Sequence, residues 1–271
     1  MQKYKLIIEY EGTAYSGWQS QENARSVQDT LIAAVSKVFN GNIDVQGAGR
    51  TDAGVHALGQ VAHLSAPTKI PLNKLLFAIN DELPSTINII SCEYASPNFH
   101  ARHDAKSRSY LYIISSRRSA FGKRYSWWIK DKLDVEKMRI VAELFVGFND
   151  FASFADKRID KNKSTMVNVA RLEVHSSNDL IAIRIVASHF LWKMVRRIVG
   201  IIVASGKGAI TRDDVENMFA NHSPLPAEHT APPSGLYLEH ISYSNEKEII
   251  LPSLPMVLSL SFPSLQDNCK K

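Results

Sequence analysis

The chain has 271 residues, of which 45% are hydrophobic and 22% charged, and its formal net charge is +5. These values are typical of a globular protein long enough to bury its own core, and they exclude a disordered, collagenous or fibrous chain. The two cysteines, Cys92 and Cys269, are too few for a disulfide framework and lack zinc-like spacing, so we expect a reducing compartment.

The first 115 residues predict strands separated by two helices. Ser26 is a good helix N-cap, and apolar residues recur at helical spacing after it until Asn40 and Gly41 end the pattern. A second, short helix opens at Pro71 and extends to Asn80. Alternating and β-branched runs predict strands at residues 5–10, 42–46, 60–64, 87–94 and 109–115.

The rest of the sequence repeats this mixture. Asp134 is expected to cap a helix that ends before Gly147, and Thr211 to cap a short helix over residues 215–219. Two strand-like runs, at residues 166–175 and 180–187, are separated by a polar turn. From Phe190 the spacing of the apolar residues becomes helical until about residue 206.

Paired strands with helices between them predict an α+β fold: two similar halves with a mixed, mainly antiparallel sheet flanked by helices. A weak boundary near residues 96–108 suggests an N-terminal half at 1–103, a C-terminal half at 104–246 and a tail at 247–271. Neither glycine-rich phosphate fingerprint occurs, so we expect no nucleotide cofactor. The longest apolar region, residues 180–205, contains several basic residues and the first residues do not resemble a leader, so we expect a cytoplasmic protein with no membrane span.

Positive charge is concentrated in the middle of the chain. Residues 100–200 contain 20 Lys or Arg against 10 Asp or Glu, whereas the regions before and after contain slightly more acidic than basic residues. Aromatic side chains are interleaved with this excess, particularly between Arg108 and Trp128. The pattern is suited to RNA, although each basic run could equally be a solvated loop.

The most unusual stretch is a loop of small residues between two predicted strands, Gly47-Ala48-Gly49-Arg50-Thr51-Asp52-Ala53-Gly54-Val55-His56-Ala57. It offers a carboxylate, a guanidinium and an imidazole within seven residues, and its glycines allow close backbone approach to a ligand. Asp52 could therefore face a ligand, or the segment could be a hairpin turn in which Asp52 bonds only backbone amides. Spacing alone leaves both readings open.

The string Gly49 to Ala57 resembles the catalytic-aspartate motif of the tRNA pseudouridine synthase A family. Further blocks are similar to that family in the same order, namely Tyr10-Glu11-Gly12, Tyr15-Ser16-Gly17-Trp18-Gln19, Asn98-Phe99-His100-Ala101-Arg102, Arg108-Ser109-Tyr110-Leu111-Tyr112, and blocks near residues 149–154, 190–196 and 231–238. Glu11 stands where the family has Asp. The resemblance covers residues 4 to about 242, and the tail after Glu246 matches nothing.

The resemblance implies the pseudouridine synthase fold, with an active-site cleft between its halves, and roles for particular residues. Asp52 would be the catalytic carboxylate, Tyr110 would lie against the uracil ring, and Arg196 would pair with Asp52 and keep it ionised. Arg50 would enter the duplex or hold the turned-out nucleotide. The further candidates for substrate binding are Thr51, Leu191, which could equally be a core residue, and Arg117 with Arg118. His56 could also contact RNA, but a structural hydrogen bond is its favoured role.

The implied reaction detaches uracil from its ribose, turns the base and rejoins it through carbon 5. This isomerisation needs no redox change, so we expect no cofactor, and the single carboxylate would stabilise or attack an electron-poor centre. The resemblance also implies tRNA as substrate, uridines 38 to 40 of the anticodon arm as targets and a homodimer. Two alternatives remain: a catalytically silent RNA-binding protein of the same fold, and a glycosidase that would release free uracil.

Nine histidines are present, and His100 and His103 are three residues apart. Neither a cysteine nor a carboxylate pair accompanies them at a zinc-like interval. We therefore expect no metal.

Overall fold

The computed structural model describes residues 1–158, 160 and 164–244. The strands of these ranges are β1 (Gln2–Tyr10), β2 (Asp44–Gly47), β3 (His56–Ala66), β4 (Ile87–Tyr94), β5 (Ala105–Ser115), β6 (Trp127–Trp128), β7 (Gly147–Asp150), β8 (Met166–Ser177), β9 (Leu180–Ala187) and β10 (Leu236–Tyr243). The α-helices are α1 (Val27–Val38), α2 (Leu72–Glu82), α3 (Val135–Glu143), α4 (Met194–Gly206), α5 (Arg212–Ala220) and α6 (Leu225–Glu228). The predicted tail, residues 247–271, lies outside the described residues.

The helix N-caps predicted from the sequence are confirmed. The hydroxyl of Ser26 accepts the backbone N–H of Asp29 at 3.0 Å, and the carboxylate of Asp134 accepts two N–H groups of the first turn of α3. Thr211 and Asp214 bond each other's backbone N–H groups in a capping box. Each cap satisfies N–H groups that have no partner inside the helix, which stabilises it by about 1 kcal/mol.

The structure differs from the prediction at the start of α4 and at β10, and β6, β7 and α6 were not predicted either. Helix α4 begins at Met194 and not at Phe190, because Lys193 has a φ of +63° and the Met194 N–H bonds the Leu191 carbonyl in a turn. The sequence analysis has no strand at residues 236–243, where the structure contains β10. Its pairing with β3 is parallel and joins residues far apart in the sequence, so no local turn signal announces it.

The described residues form two compact units that are interleaved in the sequence. The first consists of Met1–Tyr110, Val186–His189 and residues 237–244. Its strand order is β4-β1-β3-β10 and then the first part of β5, with β2 antiparallel to the second half of β3. Helices α1 and α2 contact each other, and their buried leucines, Leu31 and Leu75, belong to the same core as Leu6 of β1.

The second unit consists of Leu111–Ile185 and Phe190–Leu236. Its strand order is the second part of β5, then β9-β8-β7, with β6 parallel to β5. Helix α3 packs on α4 and β8. A cluster of four phenylalanines fills part of its core, and their ring centroids lie 5.2 to 5.9 Å apart: Phe145, Phe151, Phe154 and Phe219.

The predicted α+β class is confirmed, since the sheet is mostly antiparallel and flanked by helices. Parallel pairing joins β10 to β3 and β6 to β5. The predicted division into residues 1–103 and 104–246 stays a prediction. Within the described ranges, every helix is too short or too polar to cross a membrane.

Candidate active site

The segment between β2 and β3 contains Asp52, and hydrogen bonds close it at its base. The Ala48 N–H bonds the Val61 carbonyl at 2.7 Å. The buried side chain of Gln60 donates to the Gly49 carbonyl at 2.8 Å and accepts the Gly49 N–H at 3.3 Å. These bonds tie the start of the loop to β3, and its other end leads directly into that strand at His56, so the tip is held between two fixed ends.

Asp52 opens a β-turn at that tip. Its carbonyl accepts the Val55 N–H at 3.2 Å, and Gly54, the third residue of the turn, has a φ of +76°. Only glycine adopts this backbone conformation without strain. The Gly54 N–H in turn bonds the Tyr15 carbonyl at 3.2 Å. The segment therefore contains the turn that the hairpin interpretation predicts. The side chain of Asp52 is half-buried in it.

A second loop, residues 12–18, lies directly against the Asp52 loop. A Cβ atom at Gly12 would lie 1.9 Å from the Val55 carbonyl oxygen, and one at Gly17 would lie 2.4 Å from the Thr51 carbonyl oxygen. The same Thr51 carbonyl accepts the N–H of Trp18 at 3.1 Å. The sequence analysis gave the 12–18 loop no role of its own; the signal that could have identified it was its glycines beside the motif Tyr10-Glu11-Gly12.

Two candidates for substrate binding, Thr51 and His56, are buried. Thr51 is 7% exposed, and its hydroxyl is 2.8 Å from that of Tyr10. His56 is 2% exposed; its Nδ1 accepts the Gly12 N–H at 3.0 Å, and its ring stacks on Tyr237 at 4.9 Å. His56 thus makes the structural hydrogen bond that the sequence analysis weighed against RNA contact. Arg50, by contrast, is exposed.

Tyr110 lies in β5, in the same unit as Asp52, and it is 8% exposed. Burial raises the pKa of its phenol, and the negative charge of Asp52 raises that pKa further, whereas the charge of Arg108 lowers it. Tyr110 and Asp52 are therefore close enough for their charges to interact. A tyrosine is already neutral at pH 7, and the raised pKa disfavours ionisation of Tyr110 further, so the site offers a flat face and a hydroxyl, not a phenolate.

Arg108 connects the Tyr110 strand to the Asp52 loop. Its guanidinium donates to the carbonyls of Arg102 and Ser188 at 2.8 and 2.9 Å, and one of its nitrogens is 3.5 Å from the Ala48 carbonyl oxygen. Five N–H groups on one planar side chain can bond several carbonyls at once. The sequence analysis placed Arg108 in a motif without assigning it this function.

Arg196 lies in the first turn of α4, in the second unit. Its Nε donates to the Ala231 carbonyl at 2.7 Å, and its own carbonyl accepts the Ala231 N–H at 3.0 Å. A Cβ atom at Gly200, one turn further along, would lie 1.5 Å from the His229 carbonyl oxygen. Gly200 therefore lets the segment 229–231 lie flat on α4 and hold the arginine. Leu191 is half-buried in the turn before this helix.

The two basic residues beside Arg196 are engaged elsewhere in the second unit. Lys193 is 2.8 Å from the buried carboxylate of Asp156, which also accepts from Arg158 at 2.9 Å. Hydrogen bonds from these cations lower the pKa of Asp156. Arg197 is buried and donates to the Ala155 carbonyl, and burial lowers the pKa of its guanidinium.

Arg117 and Arg118, predicted to contact RNA, lie on the surface of the second unit. The Nε of Arg117 is 3.3 Å from Asp179, and both side chains are more than half exposed. The guanidinium of Arg118 lies 5.7 Å from the centre of the Trp128 ring. Exposed pairs of this kind contribute little to stability, so both arginines can exchange these partners for phosphate.

Three histidines cluster in the first unit. The ring of His100 lies 4.8 Å from that of His63 and 4.2 Å from that of His103. No group of three or more His, Cys, Asp or Glu side chains that could hold a metal ion occurs in the part of the chain that the structure describes. Instead, the Nδ1 atoms accept backbone hydrogen bonds: that of His63 accepts the Ala101 N–H at 3.2 Å.

This cluster predicts that the protein loses stability as the pH falls below about 6.5. Burial, followed by neighbouring histidine charge, lowers the pKa of both His63 and His100. Lys3 acts in the same direction, and the carboxylates of Asp44 and Asp104 oppose it. The unfolded chain therefore binds more protons on acidification, and the free energy of unfolding decreases.

Urea unfolding at pH 7.5, 6.5 and 5.5 measures this effect. We expect His63→Gln to unfold more easily at pH 7.5 and to show a flatter decline between pH 7.5 and 5.5. The same replacement at His222, which is exposed, is the matched control. An equally steep decline in the His63 variant contradicts the prediction.

Comparison with known proteins identifies relatives over almost the whole chain. A family model described as tRNA pseudouridine synthase matches residues 6–104 and 141–244. A protein named tRNA pseudouridine synthase A from Thermoanaerobacter sp. (strain X514) is 40% identical over 245 residues, covering 90% of this chain and all of the relative. Proteins of the same name from Rhodopseudomonas palustris (strain BisA53) and Thermodesulfovibrio yellowstonii are 41% and 37% identical, with the same coverage.

Proposed function

The chain belongs to the tRNA pseudouridine synthase family, and from this premise we propose that it isomerises uridines 38, 39 and 40 of the anticodon arm, with Asp52 as the catalytic carboxylate. The enzyme is an isomerase that converts uridine to pseudouridine in tRNA.

The observations that support the assignment of Asp52 are its half-buried position at the start of the turn between β2 and β3 and the effect of its charge on Tyr110. The charge of this carboxylate raises the pKa of a buried tyrosine that the family motif assigns to the uracil ring. The two side chains come from segments 58 residues apart in the sequence, and folding brings them into range of each other. Buried or partly buried titratable groups that influence each other in this way are typical of catalytic sites.

Asp52 can act on an electron-poor carbon because a carboxylate is a nucleophile and a stabilising anion. Three first steps are compatible with this position: attack on the sugar, attack on the base, and removal of a sugar proton. The freed base must stay in the site, so the loop has to hold its geometry through the reaction. Tyr110, as a neutral phenol, can accept the proton from carbon 5 only while it passes its own proton to another acceptor.

We also propose how the other site residues contact the tRNA or support the catalytic groups. Arg50 is exposed and lies two residues before Asp52. Its side chain is suited to fill the gap that the target nucleotide leaves in the base stack when it turns out of the RNA helix. Arg117 and Arg118 contact tRNA phosphates. We keep Arg196 as the partner of Asp52 and Leu191 as a contact of Tyr110, on the strength of the motif resemblance. Thr51 and His56 support the site from within.

We further propose that the enzyme is cytoplasmic and homodimeric, as the family resemblance implies. Sedimentation of the purified protein tests the second point directly. A single species with the mass of one 30.3 kDa chain at micromolar concentration contradicts it.

Incubation of the enzyme with an unmodified tRNA transcript tests the proposed function. We expect tritium release from uracil labelled at carbon 5, pseudouridine at positions 38 to 40, and no free uracil. Modification confined to another arm of the tRNA contradicts the target positions. Free uracil identifies a glycosidase, and tight tRNA binding without tritium release identifies a catalytically silent RNA-binding protein.

A further inference from the structure

The second unit has an open depression of about 400 Å³ on its surface, which we call the Trp128 depression. The residues of its lining that matter here are Arg117, Arg118, Lys123, Trp127, Trp128 and Ser234. Three of them are cations, and its lining contains no carboxylate. The volume lies in the lower part of the range of roughly 300–1,000 Å³ that is typical of sites for small ligands.

Local hydrogen bonds fix the rim of the Trp128 depression. Strand β6 pairs with β5, which sets Trp128 beside Ser115, and the Ser115 hydroxyl donates to the Arg117 carbonyl at 2.7 Å. On the other side, the Ser126 hydroxyl donates to the Gly122 carbonyl at 3.0 Å. The backbone of the rim is therefore ordered before any ligand binds, and less conformational entropy is lost on binding.

The two tryptophans of the depression differ in their contacts and exposure. Trp127 is held with its ring edge-to-face against Tyr112 at 6.3 Å, whereas Trp128 is 42% exposed. Lys123 is exposed as well, and Arg118 lies over the Trp128 ring. A flat exposed indole with cations beside it matches a nucleotide, because the base stacks on the ring and the phosphate pairs with the cations.

We propose that the Trp128 depression binds one unpaired nucleotide of the substrate tRNA, with its base on Trp128 and its phosphate at Arg118 and Lys123. The inference rests on the proposed function, since it assumes that the protein acts on tRNA. It adds a contact between Trp128 and an unstacked base to the phosphate contacts already proposed for the arginines. Charge favours RNA over a second copy of this chain, because a cationic surface without carboxylates in its lining attracts a polyanion.

The test is steady-state pseudouridine formation on an unmodified tRNA transcript. Trp128→Leu keeps the apolar bulk and removes the flat ring, and we expect KM for tRNA to rise roughly 5- to 100-fold, the effect of losing one base–aromatic stack, with kcat unchanged. Trp128→Phe restores most of the affinity. The control is Phe148→Leu, which alters another exposed aromatic residue of the same unit, and we expect it to leave KM unchanged.

Salt dependence separates the stacking residue from the phosphate contact. Lys123→Ala reduces the slope of log(kcat/KM) against log[salt] by about one, whereas Trp128→Leu leaves this slope unchanged. Lys137→Ala, at an exposed lysine of α3, is the charge control and should leave kcat/KM unchanged.

Three results overturn the proposal: a KM within twofold of wild type for Trp128→Leu, an equal rise in KM for Phe148→Leu, or a changed oligomeric mass for Trp128→Leu, which would assign the depression to a protein interface. The first of these results overturns the proposal even if uridine monophosphate binds the depression. In each case a wild-type enzyme that forms pseudouridine leaves the proposed function standing, so the two failures are distinguishable.

Discussion

Asp52→Asn is expected to abolish pseudouridine formation while tRNA binding stays within about threefold of wild type. Asparagine keeps the size of the side chain but carries no charge and is no nucleophile, so kcat should fall about 10³-fold or more, as for other essential catalytic groups. Binding is set mainly by the basic surface, which this change leaves intact. Tritium release from carbon 5 measures turnover, and filter binding measures affinity.

Release at the wild-type rate by Asp52→Asn refutes the assignment of Asp52. Arg196→Met provides a second measurement, because it removes the charge that we propose to pair with this carboxylate while keeping an unbranched apolar stem. It should lower kcat in the wild-type background and have little further effect in the Asp52→Asn background, since the two changes then remove one interaction. Additive effects contradict the pairing.

Gly12→Ala is expected to lower kcat/KM about 100-fold, although residue 12 is absent from the candidate catalytic set. The added Cβ would lie 1.9 Å from the Val55 carbonyl oxygen, so one of the two loops must move. That movement disturbs the turn that Asp52 opens, and the overpacking also destabilises the fold by roughly 1–3 kcal/mol. Tritium release together with the thermal midpoint measures both effects.

Gly49→Ala is the matched control for Gly12→Ala. It also adds one methyl group beside the Asp52 loop, but the nearest atom to its Cβ, on Leu238, would be at an ordinary contact distance of 3.8 Å. We expect wild-type turnover and stability. If both variants lose activity equally, loop flexibility and not the close approach at Gly12 explains the loss; if neither does, the 12–18 loop does not position Asp52.

Local sequence signals predicted correctly those elements whose stabilising contacts lie within a few residues. Side chains that cap a helix act within one turn, so Ser26, Asp134 and Thr211 marked three helix starts correctly. Strand β4 has the predicted bounds for a similar reason, since its residues favour extended backbone and a turn precedes it. The start of α4 was predicted too early, because the backbone of Lys193 in the left-handed region is not visible in the hydrophobic spacing.

The candidate site was likewise predicted only in part. The motif around Asp52 named the carboxylate and its glycines, and the strand motif named Tyr110. These motifs could not reveal that Gln60 closes the loop or that Arg108 joins it to β5, because each contact joins segments distant in the sequence. Only the glycines near residue 12 hinted at the loop that supports it. For His56 the sequence favoured a structural hydrogen bond, and the structure identifies its partner as the Gly12 N–H.

The sequence by itself determined the family, the α+β class, the basic middle region and the candidate carboxylate, because composition, residue periodicity and short motifs are properties of neighbouring residues. Only the tertiary structure decided which of the candidates are buried, which loop supports the Asp52 turn, and that Tyr110 comes within range of its charge. Those outcomes depend on packing between residues far apart in the chain, where a single methyl group at Gly12 or Gly200 would collide with a carbonyl oxygen.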